Sequence, residues 1–321
     1  MIKRSMRGEI AMSELLFLEP ILKEVIWGGN QLNSHFGYEL PSDTVGEAWV
    51  VSGHKNGDCR VRAGSYQGMT LGTLWKEHRE LFGGQQGEQF PLLIKIIDAR
   101  DDLSVQVHPD DIYAGVYEQG SLGKTECWYI LDCIPNASIV VGHNAVTKQE
   151  MQEMIATGQW DTLLKRRSIH VGDFFQIEPG TVHAIQRGTL ILEIQQSSDI
   201  TYRLYDYDRL QNGVPRQLHL EKCMDVIRFP HSDIAIHRDI TETEQYVQEK
   251  MIQCPFYSVE HVKLTGTMQR QEKPLYEMVN VLDGEGKING ITICKGEHFI
   301  IPYGYGEYVL EGTMELMFSW P

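Results

Sequence analysis

The sequence predicts a mainly β protein built from two β-sandwiches or barrels with small helical insertions. Three observations lead to this fold class. Short runs rich in Ile, Val and aromatic residues are separated by Gly, Pro or Asn, which is typical of strands and turns. Helical periodicity appears in two stretches, and one strand-and-corner pattern occurs twice. At 321 residues, of which 42% are hydrophobic, the chain can form one large domain or two smaller ones.

The predicted elements follow in chain order. Apolar residues at helical spacing predict a helical segment near residues 70–83 that packs on a sheet, with Leu71, Leu74, Trp75, Leu81 and Phe82 on its apolar face. Strands are predicted at residues 92–98, 128–134, 137–142, 174–177 and 190–195. A second helical segment is predicted near residues 146–166 with a break near Gly158, and the polar, glycine-rich residues 83–89 are interpreted as a surface loop.

The second sandwich is predicted from an internal repeat. Residues 171–180, VGDFFQIEPG, and residues 295–304, KGEHFIIPYG, both contain a turn glycine, an apolar strand and a Pro/Gly corner. His183 follows the first corner, whereas the region after the second corner contains no histidine. We therefore expect a domain over residues 1–240 that carries the chemistry and a metal-free domain over residues 241–321, with the acidic residues 241–250 in the connection between them.

The composition excludes several classes of protein. The formal charge is -15, and no Lys/Arg cluster is long enough to follow a phosphate backbone, so nucleic-acid binding is not expected. No apolar stretch is long enough to span a membrane. The six cysteines lack Cys-x-x-Cys spacing, which argues against a redox motif or a thiolate zinc site and favours reduced thiols in the cytoplasm. The basic N-terminus lacks the apolar run of a signal peptide, and translation starts at either Met1 or Met12.

A metal site is predicted from four residues. Gln106 and His108 are two positions apart in an alternating apolar run, so on a strand both side chains leave the same face. Glu126 follows the loop at 109–123, and His183 follows the first Pro/Gly corner. Three strands can therefore converge two imidazoles, a carboxylate and an amide on one cation. Alone, His183 would be interpreted as a hydrogen-bonded histidine and Gln106 as a surface residue, but the order and spacing of the four favour a metal site.

Charged residues lie close to these candidates in the sequence. Lys124 is two positions before Glu126, and Arg203 lies in a polar, aromatic stretch at 193–209. Arg203 is either a paired surface cation or a source of the positive charge that an acidic protein needs to hold a phosphorylated substrate. Asp110 and Asp111 are interpreted as an acidic pair in a loop or at a helix start, not as a catalytic dyad.

Two motifs resemble the signature motifs of the cupin jelly roll. One is Gln-x-His-Pro followed by a later glutamate, and the other is Pro-Gly-x-x-His at the first Pro/Gly corner. The wider pattern resembles the type I mannose-6-phosphate isomerases in their short bacterial form. It comprises FLEP at 17–20, IWGG at 26–29, GEAW at 46–49, SVQVHPD at 104–110, GKTE at 123–126, GTVHA at 180–184 and the stretch at 202–209. This chain lacks room for the large helical domain of the longer eukaryotic enzymes, so roles located there are not transferred, and the residues that bind the phosphate stay open.

This resemblance implies two cupin-type β jelly-roll sandwiches and a cytoplasmic enzyme that interconverts mannose 6-phosphate and fructose 6-phosphate with one zinc ion per chain. It also implies the site residues. The zinc ligands would be Gln106, His108, Glu126 and His183, and the substrate pocket would be lined by Ser104, Lys124, Glu193 and Arg203.

The residue types also indicate a mechanism. Moving a hydrogen between adjacent carbons requires stabilisation of an enediolate, which a Lewis acid provides. A divalent cation with one carboxylate, two neutral imidazoles and a neutral amide keeps a net positive charge. The base is either Glu193 or Lys124, whereas Arg203 suits an anionic oxygen because it stays protonated.

Two other functions stay open. A non-haem iron cupin dioxygenase would also use histidines and a glutamate, but typically has a histidine where Gln106 stands. A non-catalytic, metal-dependent sugar-binding cupin is the third. The sequence leaves the oligomeric state open.

Overall fold

A computed structural model of the protein describes residues 14–271 and 273–321, and the alternative starts at Met1 and Met12 lie outside these residues. The first twelve strands are β1 (Leu16–Glu19), β2 (Ile21–Gly29), β3 (Val45–His54), β4 (Gly57–Asp58), β5 (Arg60–Val61), β6 (Leu92–Ala99), β7 (Val105–Val107), β8 (Glu126–Cys133), β9 (Ser138–His143), β10 (Leu164–Ser168), β11 (Phe174–Ile177) and β12 (His183–Ile185). The remaining strands are β13 (Thr189–Gln196), β14 (Tyr202–Tyr205), β15 (Leu210–Gln211), β16 (Val214–Pro215), β17 (Asp239–Glu242), β18 (Tyr246–Gln253), β19 (Ser258–Leu264), β20 (Thr267–Arg270), β21 (Glu277–Ile288), β22 (Ile291–Cys294), β23 (His298–Ile301) and β24 (Tyr308–Trp320). The helices are α1 (Gln31–Phe36), α2 (Leu71–Glu77), α3 (Asp111–Tyr117), α4 (Lys148–Ala156), α5 (Trp160–Leu163) and α6 (Leu220–Val226), with a 3-10 turn at Arg79–Phe82.

The first sandwich consists of two antiparallel sheets. One sheet has the strand order β11-β8-β13-β6-β3-β2, with β4 paired to β3, and the other has the order β10-β9-β12-β7-β14. Apolar side chains from both sheets, including Ile97, Trp128, Ile139 and Ile185, form one buried cluster between them. The metal-site candidates of the sequence lie on or next to strands of these two sheets.

A third sheet, with the order β17-β18-β19-β24-β21-β23-β1-β5, forms the second unit, and β20 and β22 pair at its side. Its own core includes Val281, Phe299 and Phe318. Strand β1 from the start of the described chain pairs with β23, at Leu16 opposite Ile300. The N-terminal segment therefore ties the two units together through backbone hydrogen bonds.

The structure confirms the mainly β fold and both helical segments. The segment near 70–83 contains α2 and the 3-10 turn, and Leu71, Leu74, Trp75, Leu81 and Phe82 are buried as predicted. The segment near 146–166 contains α4 and α5, but its last three residues begin strand β10. Residues 83–89 form neither helix nor strand, as expected of a surface loop. Among the described residues, no helix has both the length and the apolar character that crossing a bilayer requires.

The interpretation of residues 241–250 as a connection is wrong. Most of this segment belongs to the antiparallel pair β17 and β18, at the edge of the third sheet. Its charged residues led to the wrong interpretation because β17 is exposed and β18 is only partly buried, so neither strand shows a continuous apolar pattern. Charges are common on edge strands, where they discourage pairing with other chains.

Candidate metal centre and active site

The five-stranded sheet and the residues next to it place four of the candidate side chains on one face. Gln106 lies in the middle of β7, and its neighbours across the sheet are His183 on β12 and Arg203 on β14. Directly opposed residues of antiparallel strands project from the same face. His108 follows β7 two positions after Gln106 and continues on that face. The spacing identified in the sequence therefore produces one functional surface.

The facing sheet supplies the carboxylates. Glu126 begins β8, and Glu193 on β13 lies opposite Trp128 of β8 and opposite Lys95 of β6. Glu126 and Trp128 are two positions apart and share a face of the sheet. The two sheets of the sandwich thus enclose a polar site between them.

His108, Glu126 and His183 form a group that can hold a metal ion. Their ligand atoms all lie within 4.8 Å of one another, and all three side chains are buried. The Nε2 atoms of His108 and His183 are 3.1 Å apart, and they lie 3.5 and 3.4 Å from oxygens of Glu126. Ligands about 2.0–2.2 Å from a tetrahedral metal are separated by similar distances.

The protonation states of His108 and His183 suit the binding of a cation. His108 Nδ1 donates to the carbonyl of Ile200 at 2.7 Å, and His183 Nδ1 donates to that of Thr181 at 2.8 Å. These bonds leave the lone pairs of both Nε2 atoms facing each other. Burial lowers the pKa of His183 to about 4 and that of His108 well below its usual value, so both rings are neutral. Two lone pairs facing each other beside a carboxylate repel unless a cation lies between them. These residues therefore fit a bound metal ion.

Gln106 is the fourth predicted ligand. Its Nε2 lies 3.3 Å from His183 Nε2, and the residue is partly exposed, unlike the other three. The assignment of amide nitrogen and oxygen depends on the hydrogen-bond network, and a flip would place the oxygen towards the imidazole group. Gln106 is therefore positioned beside the three buried residues of the group.

Lys124 lies next to the group of His108, Glu126 and His183. Its Nζ is 2.8 Å from Glu126 Oε2 and 3.3 Å from His108 Nε2, and its side chain is buried. Burial raises the pKa of Glu126 to about 7, and the neighbouring Lys124 opposes that rise. Glu126 Oε1 accepts no hydrogen bond from the described residues. The carboxylate thus has an oxygen free for another positively charged partner, as a metal ligand requires.

A buried charge network extends from Glu193. Its Oε1 accepts a hydrogen bond from Trp128 Nε1 at 3.0 Å, and its Oε2 lies 3.3 Å from Lys95 Nζ. Lys95 Nζ also lies 3.7 Å from Glu47. Burial alone would raise the pKa of Glu193, but the charges of Lys124 and Lys95 lower it, so the group is a carboxylate near neutral pH.

The sequence analysis missed Lys95 and Glu47. Lys95 is the one charged residue among the apolar positions 92–97 of strand β6, and a lysine on a strand buried on both faces is unusual enough to have indicated a function. Glu47 lies in the GEAW motif, which the sequence analysis used for the resemblance only.

The remaining predicted residues lie on or next to the strands that carry the site. Ser104 precedes β7 by one residue, is buried, and has the same strand parity as Gln106. Arg203 is partly buried, and its Nη1 donates to the carbonyl of Gln217 at 3.1 Å. The structure thus places Gln106 and Lys124 beside the group of His108, Glu126 and His183, with Arg203 opposite Gln106 on the same sheet. Asp110 accepts a hydrogen bond from the Tyr113 amide as the N-cap of α3, which confirms its interpretation as a helix-start residue.

Comparison with known proteins agrees with this arrangement. A family model described as the catalytic domain of type I phosphomannose isomerase matches residues 15–157, and one described as the cupin domain of mannose-6-phosphate isomerase matches residues 247–321. The chain is 47% identical to mannose-6-phosphate isomerase ManA of Bacillus subtilis over 96% of this chain and 99% of that protein. It is 44% identical to mannose-6-phosphate isomerase of Streptococcus mutans, over 96% of this chain and 98% of that protein.

The solved structures show the same relationship. The crystal structure of mannose 6-phosphate isomerase from Bacillus subtilis superimposes with a TM-score of 0.93 at 43% identity, covering 96% of this chain and all of that one. The likeness spans both sandwiches and confirms the cupin-type fold. The chain therefore belongs to the type I phosphomannose isomerase family.

Proposed function

We propose that this chain is a zinc-dependent isomerase that interconverts mannose 6-phosphate and fructose 6-phosphate through an enediolate. The observation that carries the proposal is the buried group of His108, Glu126 and His183, with both imidazoles neutral and Lys124 beside them. Family membership supports the substrate, because the relatives named above act, by name, on mannose 6-phosphate.

Gln106, His108, Glu126 and His183 would hold one zinc ion per chain. Two neutral imidazoles, one carboxylate and one amide suit zinc, which favours nitrogen and oxygen ligands in four-coordinate sites. When bound, zinc supplies a Lewis acid that stabilises negative charge on the sugar oxygens. The hydrogen bonds from His108 to Ile200 and from His183 to Thr181 fix both rings in the orientation that ligation requires.

Proton transfer is assigned to the protein. Glu193 is held as a carboxylate by Trp128 and Lys95, so it can accept a proton from a sugar carbon and return it to the neighbouring one. Lys124 is the second candidate for the base. Arg203 stays protonated and holds an anionic oxygen. Ser104, Lys124 and Arg203 together would bind the substrate.

The competing functions have less support. An iron dioxygenase would require neither Lys124 nor Arg203, and the amide of Gln106 stands beside His183 where such enzymes typically have a third histidine. A sugar-binding cupin without catalysis would not require the buried network of Glu193, Lys95 and Glu47.

We also propose that the division near residue 240 separates a catalytic domain, 1–240, from a metal-free domain, 241–321. Strands β17 to β24 all belong to the third sheet, which supports this division, although β1 and β5 join that sheet as well. The enzyme would act on a small sugar phosphate in the cytoplasm, where its free cysteines stay reduced.

A coupled assay tests the proposed reaction. The zinc-loaded protein should convert mannose 6-phosphate to fructose 6-phosphate, with no oxygen uptake. Oxygen consumption with the iron-loaded protein would favour the dioxygenase. Absence of turnover at full metal occupancy would leave a sugar-binding protein.

A further inference from the structure

Two arginines bind one buried carboxylate beside the metal centre, and a third arginine lies close to them. Asp206, which follows strand β14, is buried. Its carboxylate accepts hydrogen bonds from Arg209 Nη2 at 2.5 Å and from Arg216 Nε and Nη2 at 2.7 and 2.5 Å. The third arginine, Arg203, lies on β14 itself. With three guanidinium groups and one carboxylate, the cluster has an excess of positive charge in a chain whose formal charge is -15.

Arg216 lies beside Arg203 because residues 217–219 run alongside strand β14. Arg203 Nη1 donates to the carbonyl of Gln217 at 3.1 Å, and the His219 amide donates to the carbonyl of Arg203 at 2.8 Å. Burial and then the positive charge of Arg216 lower the pKa of the Arg203 guanidinium, which agrees with their proximity. Since Arg203 lies opposite Gln106 across the sheet, the arginine pair adjoins the metal centre.

The two arginines have donors to spare. Arg203 Nε is buried without a hydrogen-bond partner. Arg203 Nη2 and Arg216 Nη1 make no hydrogen bond to any residue within 14–271 or 273–321. Arg216 is only 14% exposed, so water does not easily replace the missing partners. Two neighbouring like charges with unpaired donors in a half-buried place are costly unless an anion joins them.

Arg209 has a different role from Arg216. Its Nη1 donates to the carbonyl of Asp102 in addition to the contact with Asp206, so it fastens the segment to the first sandwich. The hairpin of β15 and β16 connects Arg209 to Arg216, and its apolar residues Leu210 and Val214 are exposed. The chain therefore leads back from the surface to the site at Arg216. The Nε and Nη2 atoms of its guanidinium group bind Asp206, and Nη1 has no partner among the described residues.

Building on the proposed isomerase function, we propose that Arg216, oriented by Asp206, binds the phosphate group of the sugar phosphate together with Arg203. Planar guanidinium donors match the oxygens of a phosphate and bind it through charge-assisted hydrogen bonds. In the free protein Asp206 limits the repulsion between the arginines, and in the complex the phosphate completes the neutralisation. Arg216 is thus a specificity-determining residue that distinguishes a sugar phosphate from a free sugar.

The test compares Arg216→Gln with Arg62→Gln as a matched control. Arg62 is an exposed arginine paired with Glu297 on the third sheet, so its loss removes the same charge away from the site. For each zinc-loaded protein, kcat and KM for mannose 6-phosphate, competitive inhibition by inorganic phosphate and calorimetric binding of inorganic phosphate are measured. Arg216→Gln should raise KM and the inhibition constant of phosphate by about ten- to a hundredfold. The value of kcat should change by less than about threefold, because the protein contacts the phosphate group equally in the ground state and in the transition state.

Arg216→Lys guards against a purely structural effect, since it keeps the charge but loses the paired contact with Asp206. It should show a smaller rise in KM than Arg216→Gln at an unchanged melting temperature. Wild-type KM and phosphate inhibition in Arg216→Gln would overturn the proposal, as would equal losses in Arg62→Gln. If the wild-type protein fails to turn over mannose 6-phosphate, the isomerase function fails instead, and calorimetry with inorganic phosphate still decides whether Arg216 forms an anion site.

Discussion

At the scale of single residues, backbone carbonyls prepare the metal ligands. Ile200 and Thr181 accept the Nδ1 protons of His108 and His183, which leaves both Nε2 atoms as ligands before any ion arrives. A side chain with a free choice of tautomer would bind metal less readily. The backbone around β7 and β12 is therefore part of the metal site.

His183→Ala should lose metal and turnover together. The change removes one of three buried ligands, and turnover should fall by at least about a thousandfold, since a bound metal supplies several kcal/mol of transition-state stabilisation. Metal content by mass spectrometry and the coupled assay measure the two effects. His170→Ala, at a histidine that is 83% exposed, is the control and should change neither. Full metal content in His183→Ala would remove this residue from the site.

Lys124→Met and Arg203→Met should keep the metal but slow the reaction. Under the proposed function each change deletes a positive charge that binds the anionic sugar without deleting a ligand, and a loss of about a hundredfold in kcat/KM is expected. Metal analysis on the same preparations separates the two effects. Unchanged kinetics in either variant would make that residue structural.

The sequence predicted the candidate site residues whose spacing is regular, but it did not predict Lys95 or Arg216. Gln106, His108, Glu126 and His183 were found because strand parity and the Pro/Gly corner restrict where their side chains point. Lys95 was hidden within an apolar strand, and its significance depends on Glu47 and Glu193, which are distant in sequence. Arg216 depends on the path of a hairpin that no local pattern specifies.

At the scale of elements, a glycine sets the approach of β2 and β3. A Cβ on Gly28 would lie 2.3 Å from the carbonyl oxygen of Thr44, far inside van der Waals contact with backbone that cannot move aside. Gly28→Ala should therefore lower the free energy of unfolding by about 2 kcal/mol or more. Thermal and urea unfolding measure this change. Gly115→Ala, in helix α3 with no heavy atom within 4 Å of the added Cβ, should be neutral or slightly stabilising. Equal stability of the two variants would contradict the close approach.

A hydrogen-bonded triad joins the first sandwich to the third sheet. Glu315 Oε1 accepts hydrogen bonds from Tyr129 Oη at 2.7 Å and from His261 Nε2 at 2.7 Å. Burial alone would raise the pKa of Glu315, but these two partners lower it to about 2. Because the folded pKa lies below the unfolded one, the contact stabilises the protein above the unfolded pKa and is lost as pH falls towards about 2.

Glu315→Gln should flatten the acid side of the stability profile. As pH falls from the usual glutamate pKa of about 4.5 to about 2, the free energy of unfolding of the wild type should decrease by on the order of 2 kcal/mol. The variant lacks the carboxylate and should not show this decrease. Urea unfolding at a series of pH values shows the difference. Glu311→Gln, at an exposed position, should follow the wild-type profile. Parallel profiles for wild type and Glu315→Gln would remove the triad as a pH-dependent contact.

The predicted elements succeeded where hydrophobicity alone decides the structure. The strand predictions at 92–98 and 174–177 match β6 and β11 closely, since both are buried and apolar. The acidic residues 241–250 were misread as a connection because β17, the edge strand of the third sheet, is exposed along its whole length and β18 beside it is only partly buried. The pairing of β1 with β23 was also out of reach, because it joins residues almost 300 positions apart, and local patterns carry no information on such partners.

At the scale of the whole molecule, two cupin-type units share one chain, and the candidate metal centre lies in the first of them. Of the two repeated Pro/Gly corners, the first is followed by His183 in the candidate metal centre, and the second follows β23 of the third sheet. A large apolar cluster that includes Val50, Ile94, Met278 and Met317 joins the two units. The second sandwich therefore supports the first through packing, and we expect the catalytic sandwich to depend on it for stability.

The most direct measurement of the central claim is a zinc titration of chelator-treated protein with turnover of mannose 6-phosphate as the readout. The site formed by Gln106, His108, Glu126 and His183 predicts that turnover rises linearly with added zinc and stops rising at one equivalent per chain. Full turnover in protein shown by elemental analysis to be free of metal would contradict it.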